Sequence, residues 1–272
     1  LNLVDSPDGN LKFHKNTSFT VGGLIFLINI SIILVLSYFE NKSFFNIENE
    51  LIFYGIFTLI FLVGFLDDKN NLSPNLKFIL LTFLISFCLL IEHVNKINSL
   101  FFSSIDLNIS VENYSFFFTL LCYLLFLNAV NMFDGINLQL GLYVFTGLIY
   151  LFVFNQNFQF LYLFIFIFFF LICNFDGKIF MGDNGSLSLA FFFSYLFINN
   201  YNLGNFNGVE QIFIYMAIPG IDMFRLFIVR LIYKKNPFKG DNNHLHHLLS
   251  KSYGEKKAAI YIFLLIFFSI CF

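Results

Sequence analysis

The chain has 272 residues, of which 58% are hydrophobic and 12% are charged, and its formal net charge is −2. A soluble domain carries about 45–50% apolar and about 25% charged residues. The 45 phenylalanines therefore exceed what one water-soluble core of this length can bury. These values exclude a secreted enzyme, a nucleic-acid binder and a disordered chain, and they predict a polytopic membrane protein. The four cysteines lie in apolar runs, which argues against a disulfide framework or a metal cluster.

Nine apolar runs approach the length of about 20 residues that a membrane-spanning helix needs. In chain order they are 21–39, 50–66, 77–92, 114–130, 138–154, 158–174, 186–199, 209–233 and 258–272. The segment 100–111 is too short to span and predicts a small interfacial hairpin. We expect one all-α transmembrane bundle over residues 1–272, with no separate soluble domain. The polar opening segment begins with Leu, so no signal peptide is expected and an upstream helix is expected to be missing.

Nine crossings sort the connecting segments onto two sides of the membrane. One side receives 1–20, 67–76, 131–137, 175–185 and 234–257. This side holds 11 lysines, counting Lys77 at its edge, against 2 on the other. Cytoplasmic loops carry an excess of basic residues, so this side is expected to face the cytoplasm. Most aspartates lie here too, which indicates a site for a divalent cation and a phosphorylated ligand.

The first motif on this side is DDKNNLSPNLK at residues 67–77. The adjacent carboxylates of Asp67 and Asp68 could share a hard cation such as Mg²⁺, which prefers oxygen ligands. One of them could instead accept a proton, because a like-charged neighbour raises its pKa. The alternative is a solvated helix end followed by a Ser-Pro turn.

The second motif is NAVNMFDGIN at residues 128–137. Asn128 and Asn131 are three residues apart and are expected to share a helix face. Their amides could hold a sugar or nucleotide by directional hydrogen bonds beside the Asp134-Gly135 turn. Alone, the motif is equally typical of an Asp-Gly turn with capping asparagines.

The third motif is GKIFMGDNGS at residues 177–186. Ser186 is expected to open the next helix, whose N-terminus would favour phosphate. Asp183 would then hold the metal that neutralises this phosphate. The alternative is a glycine-rich connection with a serine cap.

The fourth motif places three histidines, His244, His246 and His247, in the long segment 234–257. Imidazole suits zinc, but no cysteine lies nearby, so binding of diphosphate or proton transfer is favoured over a zinc site. A basic loop facing lipid headgroups is the alternative. Near the start, Lys15 could pair with phosphate or act only as a positive-inside anchor. Within the helices, Asp222 and Arg225 stand out as charges one turn apart that are expected to pair.

Together these blocks resemble the polyprenyl-phosphate N-acetylhexosamine-1-phosphate transferases, which include the WecA- and TagO-type initiators and the phospho-MurNAc-pentapeptide translocase. The resemblance runs in family order through nearly the whole chain: DSPDGNLKFHKNTSFTVGG, GFLDDKNNLSPNLK, NAVNMFDGINLQLG, GKIFMGDNGSL and DNNHLHHLL. It implies a multi-pass bacterial inner-membrane enzyme of ten or eleven helices, of which about nine lie in this chain. Its active site would lie on cytoplasmic loops.

The resemblance further implies transfer of a sugar 1-phosphate from a UDP-sugar to undecaprenyl phosphate, with release of UMP. Mg²⁺ is the implied cofactor, with Mn²⁺ as a substitute. Whether the protein forms a homodimer is left open. The implied catalytic residues are Asp67, Asp68, Asp134, His244, His246 and His247. The implied substrate-binding residues are Lys15, Lys77, Asn128, Asn131, Gly135 and Asn174. The implied metal ligands are Asp183, Asp67 and Asp68.

Three alternatives remain at this stage. The H-x-HH form of residues 244–247 favours the WecA-like branch of the family. The muramyl-pentapeptide branch is the second hypothesis. A membrane transporter is a different class, but transporter sites usually lie near the bilayer midplane. A catalytically inactive scaffold is disfavoured because acids are retained in all the acidic blocks. The sugar, direct attack versus a covalent aspartyl intermediate, and the downstream polymer are left open.

Overall fold

The computed structural model describes residues 4–5, 18–40, 47, 49–92, 95–155, 159–234 and 243–271. Its helices are α1 (Gly22–Glu40), α2 (Glu50–Asn70), α3 (Pro74–Ile91), α4 (Ser115–Phe133), α5 (Gln139–Asn155), α6 (Phe160–Phe175), α7 (Gly182–Asn202), α8 (Val209–Ile232), α9 (Leu245–Tyr253) and α10 (Glu255–Cys271). Two antiparallel pairs of short strands accompany them: β1 (Val4–Asp5) with β2 (Ser18–Phe19), and β3 (Ser99–Phe102) with β4 (Leu107–Ser110). A 3₁₀ turn, Glu112–Tyr114, precedes α4.

The predicted all-α polytopic bundle is confirmed. Each of the nine predicted runs coincides with a helix, and a tenth, the short α9, carries two of the three histidines. Within the described residues, five segments are long and apolar enough to cross a membrane: Gly22–Glu40, Glu50–Asn70, Pro74–Ile91, Glu112–Phe133 and Val209–Ile232. Two further helices, α5 and α6, are apolar but shorter. Nine crossings therefore stay a prediction.

Helix α7 is the centre of the bundle and differs from the predicted run 186–199. Every residue from Asn184 to Asn200 is buried, although the sequence contains several serines and asparagines. A helix enclosed on all sides does not need an amphipathic pattern, so its polar residues shortened the predicted run. Its aromatic rings fill the core: Phe191 stacks on Phe53 at 5.7 Å between ring centroids, and Phe192 meets Phe26 edge to face at 5.5 Å.

The predicted hairpin at 100–111 is confirmed as β3 and β4, which are paired from Ser99–Ser110 to Phe102–Leu107. It packs on the C-terminal end of α7, where the Tyr201 hydroxyl donates to the Ser99 carbonyl at 3.0 Å and accepts from the Phe101 N–H at 2.8 Å. The carboxylate of Glu210, in the first turn of α8, accepts from the Ser104 N–H at 2.9 Å. We call this end of the bundle the hairpin end. Its position at a membrane interface stays a prediction.

Helix α8 contains Pro219, which has no N–H to donate to the carbonyl of Tyr215. That carbonyl lies 3.5 Å from the hydroxyl of Tyr143 on α5. The Tyr215 hydroxyl in turn donates to the Tyr143 carbonyl at 3.0 Å, and the two rings stack at 4.5 Å. A buried tyrosine pair thus ties α5 to α8 beside the proline.

Glycine brings α2 against the start of α7. A Cβ at Gly64 would lie 2.5 Å from both the Asn184 Cα and the Asp183 carbonyl oxygen, so no larger residue fits this approach. Because Asp67 and Asp68 follow Gly64 within about one helical turn, the close approach delivers both carboxylates to the N-terminus of α7.

This packing yields a matched pair of variants in one helix. We expect Gly64→Ala to lower the melting temperature in detergent, because overpacking costs about 1–3 kcal/mol where neither backbone can move away. Gly55→Ala, with nothing within 4 Å of the added Cβ, is expected to leave the melting temperature unchanged or slightly raised. Equal melting temperatures for the two variants would contradict the close approach of α2 and α7.

Candidate active site

Lys77 is the centre of a polar cluster at the end of the bundle opposite the hairpin, which we call the site end. Its Nζ lies 2.7 Å from Asp67 Oδ2, 2.7 Å from Asp183 Oδ2 and 3.1 Å from Asn131 Oδ1. These residues come from α3, α2, α7 and α4. The sequence-predicted residues Asp67, Lys77, Asn131 and Asp183 therefore meet at one place.

The chain reversal between α2 and α3 explains how Lys77 returns to Asp67. Helix α2 ends with Asn71 in the left-handed region at φ 48°, and Pro74 starts α3 after Ser73, whose hydroxyl accepts from the Leu76 N–H at 3.3 Å. Asp67 braces the turn by accepting from the Leu72 N–H at 2.8 Å. The predicted Ser-Pro turn therefore also brings Lys77 into contact with Asp67 and Asp183.

Asn131 holds Asp183 from the other side. Its Nδ2 donates to Asp183 Oδ1 at 2.9 Å and to the Ser186 hydroxyl at 2.8 Å. Asn128 lies one turn earlier on α4 but outside this cluster, and its amide donates to the Leu124 carbonyl at 2.7 Å. Only Asn131 of the two predicted amides therefore contacts the acids.

Asp68 plays a different part from its neighbour. Its Oδ1 accepts from the Asp183 N–H at 2.8 Å, and its Oδ2 accepts from the N–H and side-chain amide of Asn184 at 3.0 and 2.6 Å. It thereby caps the first turn of α7 from α2. Of the paired acids, Asp67 is the one that shares Lys77 with Asp183.

The expectation that Ser186 opens this helix is wrong, because α7 begins at Gly182. Ser186 lies in the second turn, fully buried, and its hydroxyl meets Asn131. Helix α7 starts earlier than predicted because the Asp68 carboxylate satisfies N–H groups that would otherwise stay unpaired. Two N–H groups expected to face phosphate are thus already bonded to Asp68.

Asp134 and Gly135 directly follow α4 and lie beside the cluster. Burial raises the pKa of the Asp134 carboxyl to about 8, and the carboxylates of Asp183 and Asp68 add to the rise. Asp134 is therefore largely a neutral acid near pH 7, able to donate a hydrogen bond. A Cβ at Gly135 would lie 1.9 Å from His246 Nε2, so the absence of a side chain there lets the imidazole sit against the loop.

The three histidines form one group at the start of α9. His246 is 1% exposed, and burial together with the neighbouring imidazoles lowers its pKa to about 3, so its ring is neutral near pH 7. Its ring centroid lies 4.2 Å from that of His247 and 5.3 Å from that of His244. The His244 Nδ1 lies 2.9 Å from Asp222 Oδ2. The sequence did not predict this link between α8 and the histidines.

Asn174 lies in the last turn of α6, and both ends of its side-chain amide are bonded to backbone groups. Its Oδ1 accepts from the Leu138 N–H at 2.5 Å, and its Nδ2 donates to the Ile179 carbonyl at 2.7 Å. It joins the loop after α4 to the loop before α7, and its role in substrate binding stays a prediction. Lys15 lies outside the described residues.

Asp67 and Asp183 are candidate metal ligands, because carboxylate oxygens are donors that Mg²⁺ prefers. Asp67 and Asp183 present carboxylate oxygens to one point, which Lys77 contacts, and the Asp183 side chain is 38% exposed against 11% for Asp67. Among the described residues no group of three or more His, Cys, Asp or Glu side chains could hold a metal ion. Mg²⁺ is usually bound by one or two carboxylates together with water and substrate phosphates. The more exposed carboxylate, that of Asp183, fits that ion.

Several known proteins are similar to this chain over most of its length. The chain is 26% identical over 276 residues to an undecaprenyl-phosphate alpha-N-acetylglucosaminyl 1-phosphate transferase of Thermotoga maritima, covering 99% of this chain and 79% of the relative. It is 27% identical over 268 residues to the protein of the same name from Salmonella typhi, covering 93% and 70%. It is 30% identical over 202 residues to a phospho-N-acetylmuramoyl-pentapeptide-transferase of Petrotoga mobilis, covering 68% and 61%.

The profile of one family matches residues 50–200, a stretch that contains Asp67, Lys77, Asn131 and Asp183. The match extends over more than half of the chain, from α2 to α7. This chain belongs to glycosyl transferase family 4.

Proposed function

We propose that this chain is a membrane-embedded phosphosugar transferase that moves an N-acetylhexosamine 1-phosphate from a UDP-sugar to undecaprenyl phosphate and releases UMP. The observation that carries the proposal is the contact of Lys77 with both Asp67 and Asp183. Four helices contribute to this cluster, and its acids, amides and ammonium suit a diphosphate better than any apolar ligand. The names of the relatives support undecaprenyl phosphate as the acceptor.

Asp183 would hold Mg²⁺, or Mn²⁺ in its place, and the bound cation would neutralise charge on the diphosphate, whereas Asp67 is left to act as a base. Asp183 is the more exposed of the two, which supports it as the residue nearest the phosphates. Lys77 keeps the two carboxylates together by contacting both, and Asn131 fixes the orientation of Asp183. Most of the rate is then supplied by positioning and charge neutralisation.

The transfer step is direct attack. An oxygen of the lipid phosphate forms a bond to the β-phosphorus of the UDP-sugar, and the bond from that phosphorus to the bridging oxygen breaks. The electron pair leaves with UMP, and Asp67 takes the proton of the lipid phosphate. Asp134 and the partly exposed imidazole of His247 would contact the diphosphate.

The proposed location is the bacterial inner membrane, with the site end in the cytoplasm. The lysines support this orientation, because 11 lie on the predicted side of the site and 2 on the other. The acceptor would then enter from the surrounding lipid, and the soluble UDP-sugar from the cytoplasm. A transporter is not supported, because the acids meet at the helix ends rather than halfway along them.

A second candidate is transfer of phospho-MurNAc-pentapeptide, which the Petrotoga mobilis relative supports at 30% identity. We favour an N-acetylhexosamine 1-phosphate because the relatives from Thermotoga maritima and Salmonella typhi match 99% and 93% of the chain, against 68%.

The first experiment identifies donor and metal together. Membranes containing the chain are incubated with undecaprenyl phosphate and a panel of UDP-sugars, and UMP and the lipid product are measured by mass. We expect UMP release with a UDP-N-acetylhexosamine, loss of release with EDTA, and recovery with excess Mg²⁺ or Mn²⁺. Release that is insensitive to EDTA would contradict the metal proposal, and product only from UDP-MurNAc-pentapeptide would favour the second candidate.

A separate prediction concerns the two acids that contact Lys77. Asp183→Asn and Asp67→Asn are each expected to reduce UMP release at least about 100-fold, because each removes a charge opposite Lys77. Asp176→Asn is the matched control, since Asp176 is exposed and pairs with the exposed Lys178. We expect near-normal turnover in this control. Near-normal turnover of Asp183→Asn would instead remove Asp183 from the metal role.

The covalent alternative has its own signature. An aspartyl intermediate on Asp67 would let the enzyme exchange labelled UMP into the UDP-sugar when no lipid acceptor is present. Direct attack predicts that exchange requires undecaprenyl phosphate. Acceptor-independent exchange that Asp67→Asn abolishes would overturn direct attack.

A prediction on stability follows from the lowered pKa of His246. Below the usual histidine pKa of about 6.5, His246 binds a proton in the unfolded chain. In the folded chain its imidazole stays neutral until about pH 3. Stability from this group is thus complete above pH 6.5 and is lost as the pH falls. We expect the melting temperature to fall less between pH 7 and pH 5 in His246→Asn than in the wild type. Equal falls would contradict a buried, neutral His246.

A further inference from the structure

Asp222 is a buried carboxylate on α8 that no catalytic step above uses. It is 5% exposed, and three donors converge on it. Arg225 Nη2 donates to its Oδ1 at 2.8 Å, the Leu245 N–H donates to the same oxygen at 3.1 Å, and His244 Nδ1 lies 2.9 Å from its Oδ2. The predicted Asp222–Arg225 pair is confirmed, but two of the three contacts lead to the segment that carries the histidines.

The contacts of Asp222 fix the start of α9. His244 is the residue that precedes α9, and Leu245 is its first residue. Arg225 also donates to the Asn243 carbonyl at 2.6 Å, so three consecutive residues are held by α8. In α9 itself, whose nine residues are all described, His246 is the single buried residue. So short a helix has little apolar burial of its own to fix its position.

The fixed imidazole of His244 leads to His246. The two rings are nearly parallel, with centroids 5.3 Å apart and an angle of 7° between their planes. His246 lies in turn against Gly135, next to Asp134. A chain of contacts therefore runs from Asp222 through His244 and His246 to the loop at the end of α4.

We propose that Asp222 is a positioning residue of the transferase, which acts through His244 to hold His246 against the Asp134-Gly135 loop. Its carboxylate accepts a hydrogen from His244 Nδ1 and so sets the tautomer and the ring orientation. His244 is then a positioning residue as well, His246 is the buried contact to the loop, and the partly exposed His247 is left to meet the diphosphate. This inference rests on the proposed function.

The test is a double-mutant cycle on UMP release, with kcat and KM for the UDP-sugar measured for Asp222→Asn, His244→Ala and the double variant. We expect each single change to lower kcat/KM by about 10- to 100-fold, the range found when carboxylates that orient metal-bound imidazoles are removed. Because the two residues act in series, the double variant should be within about threefold of the weaker single variant. Losses that multiply in the double variant, or near-wild-type activity of Asp222→Asn, would overturn the proposal.

A second substitution separates positioning from catalysis at His244 and does not require Asp222→Asn to fold. In His244→Asn the side-chain amide can still donate to Asp222, whereas in His244→Ala nothing can. We expect at least about threefold higher kcat/KM for His244→Asn than for His244→Ala, at similar melting temperatures. Equal activity of the two would show that the imidazole itself is required and would overturn the positioning role of His244.

Two controls distinguish the possible failures. Glu210→Gln removes an acid that is hydrogen-bonded at the opposite end of the same helix, and its activity should match the wild type. A loss in Glu210→Gln as large as in Asp222→Asn would mean that α8 responds to any such change, and would overturn the specific role of Asp222. If the wild type itself releases no UMP from any UDP-sugar, the proposed function is wrong and the inference falls with it. If the wild type is active, the double-mutant cycle decides whether Asp222 acts through His244.

Discussion

The arrangement at the site end depends on one ammonium group between two carboxylates. Asp67 and Asp183 come from different helices and would repel each other if they faced each other without a cation. Lys77 contacts both at 2.7 Å, with 14% of its side chain exposed. Half-buried ions of this kind are costly unless they are paired and hydrogen-bonded, and here the surrounding amide and backbone groups complete the pairing. The cluster is therefore satisfied while one acid stays open to solvent.

Other parts of the fold bring Asp67, Asp183 and Lys77 together. Gly64 lets α2 approach α7, Asp68 caps the first turn of α7, and the Ser73-Pro74 turn brings Lys77 back. Helix α7 then runs about 30 Å through the centre of the bundle to the hairpin end. Its enclosed aromatic core fixes the position of Asp183 relative to the other helices, so the chemistry is held by packed helices rather than by a mobile loop.

The sequence predicted the bundle, the hairpin and the residues that meet around Lys77, because apolar length and family motifs are local signals. It did not separate Asp67 from Asp68. Two adjacent acids cannot be told apart from the sequence. On a helix, however, their side chains point in directions about 100° apart and therefore face different neighbours. It also misplaced the start of α7, since the group that caps this helix comes from 115 residues earlier. Asp222 stood out as a charge within an apolar run, whereas its contact with His244 depends on how the segment after α8 folds back.

Pro219 has a consequence for how the two ends of α8 relate. Glu210 fastens this helix to the hairpin, and Asp222 fastens it to the histidines, with the proline between them. The ladder of main-chain hydrogen bonds is interrupted where the Tyr215 carbonyl has no amide partner at position 219, and a tyrosine hydroxyl from α5 lies there instead. Pro219 is therefore a point where α8 can bend between its two anchored ends, so that a shift at the hairpin is not carried rigidly to the imidazoles.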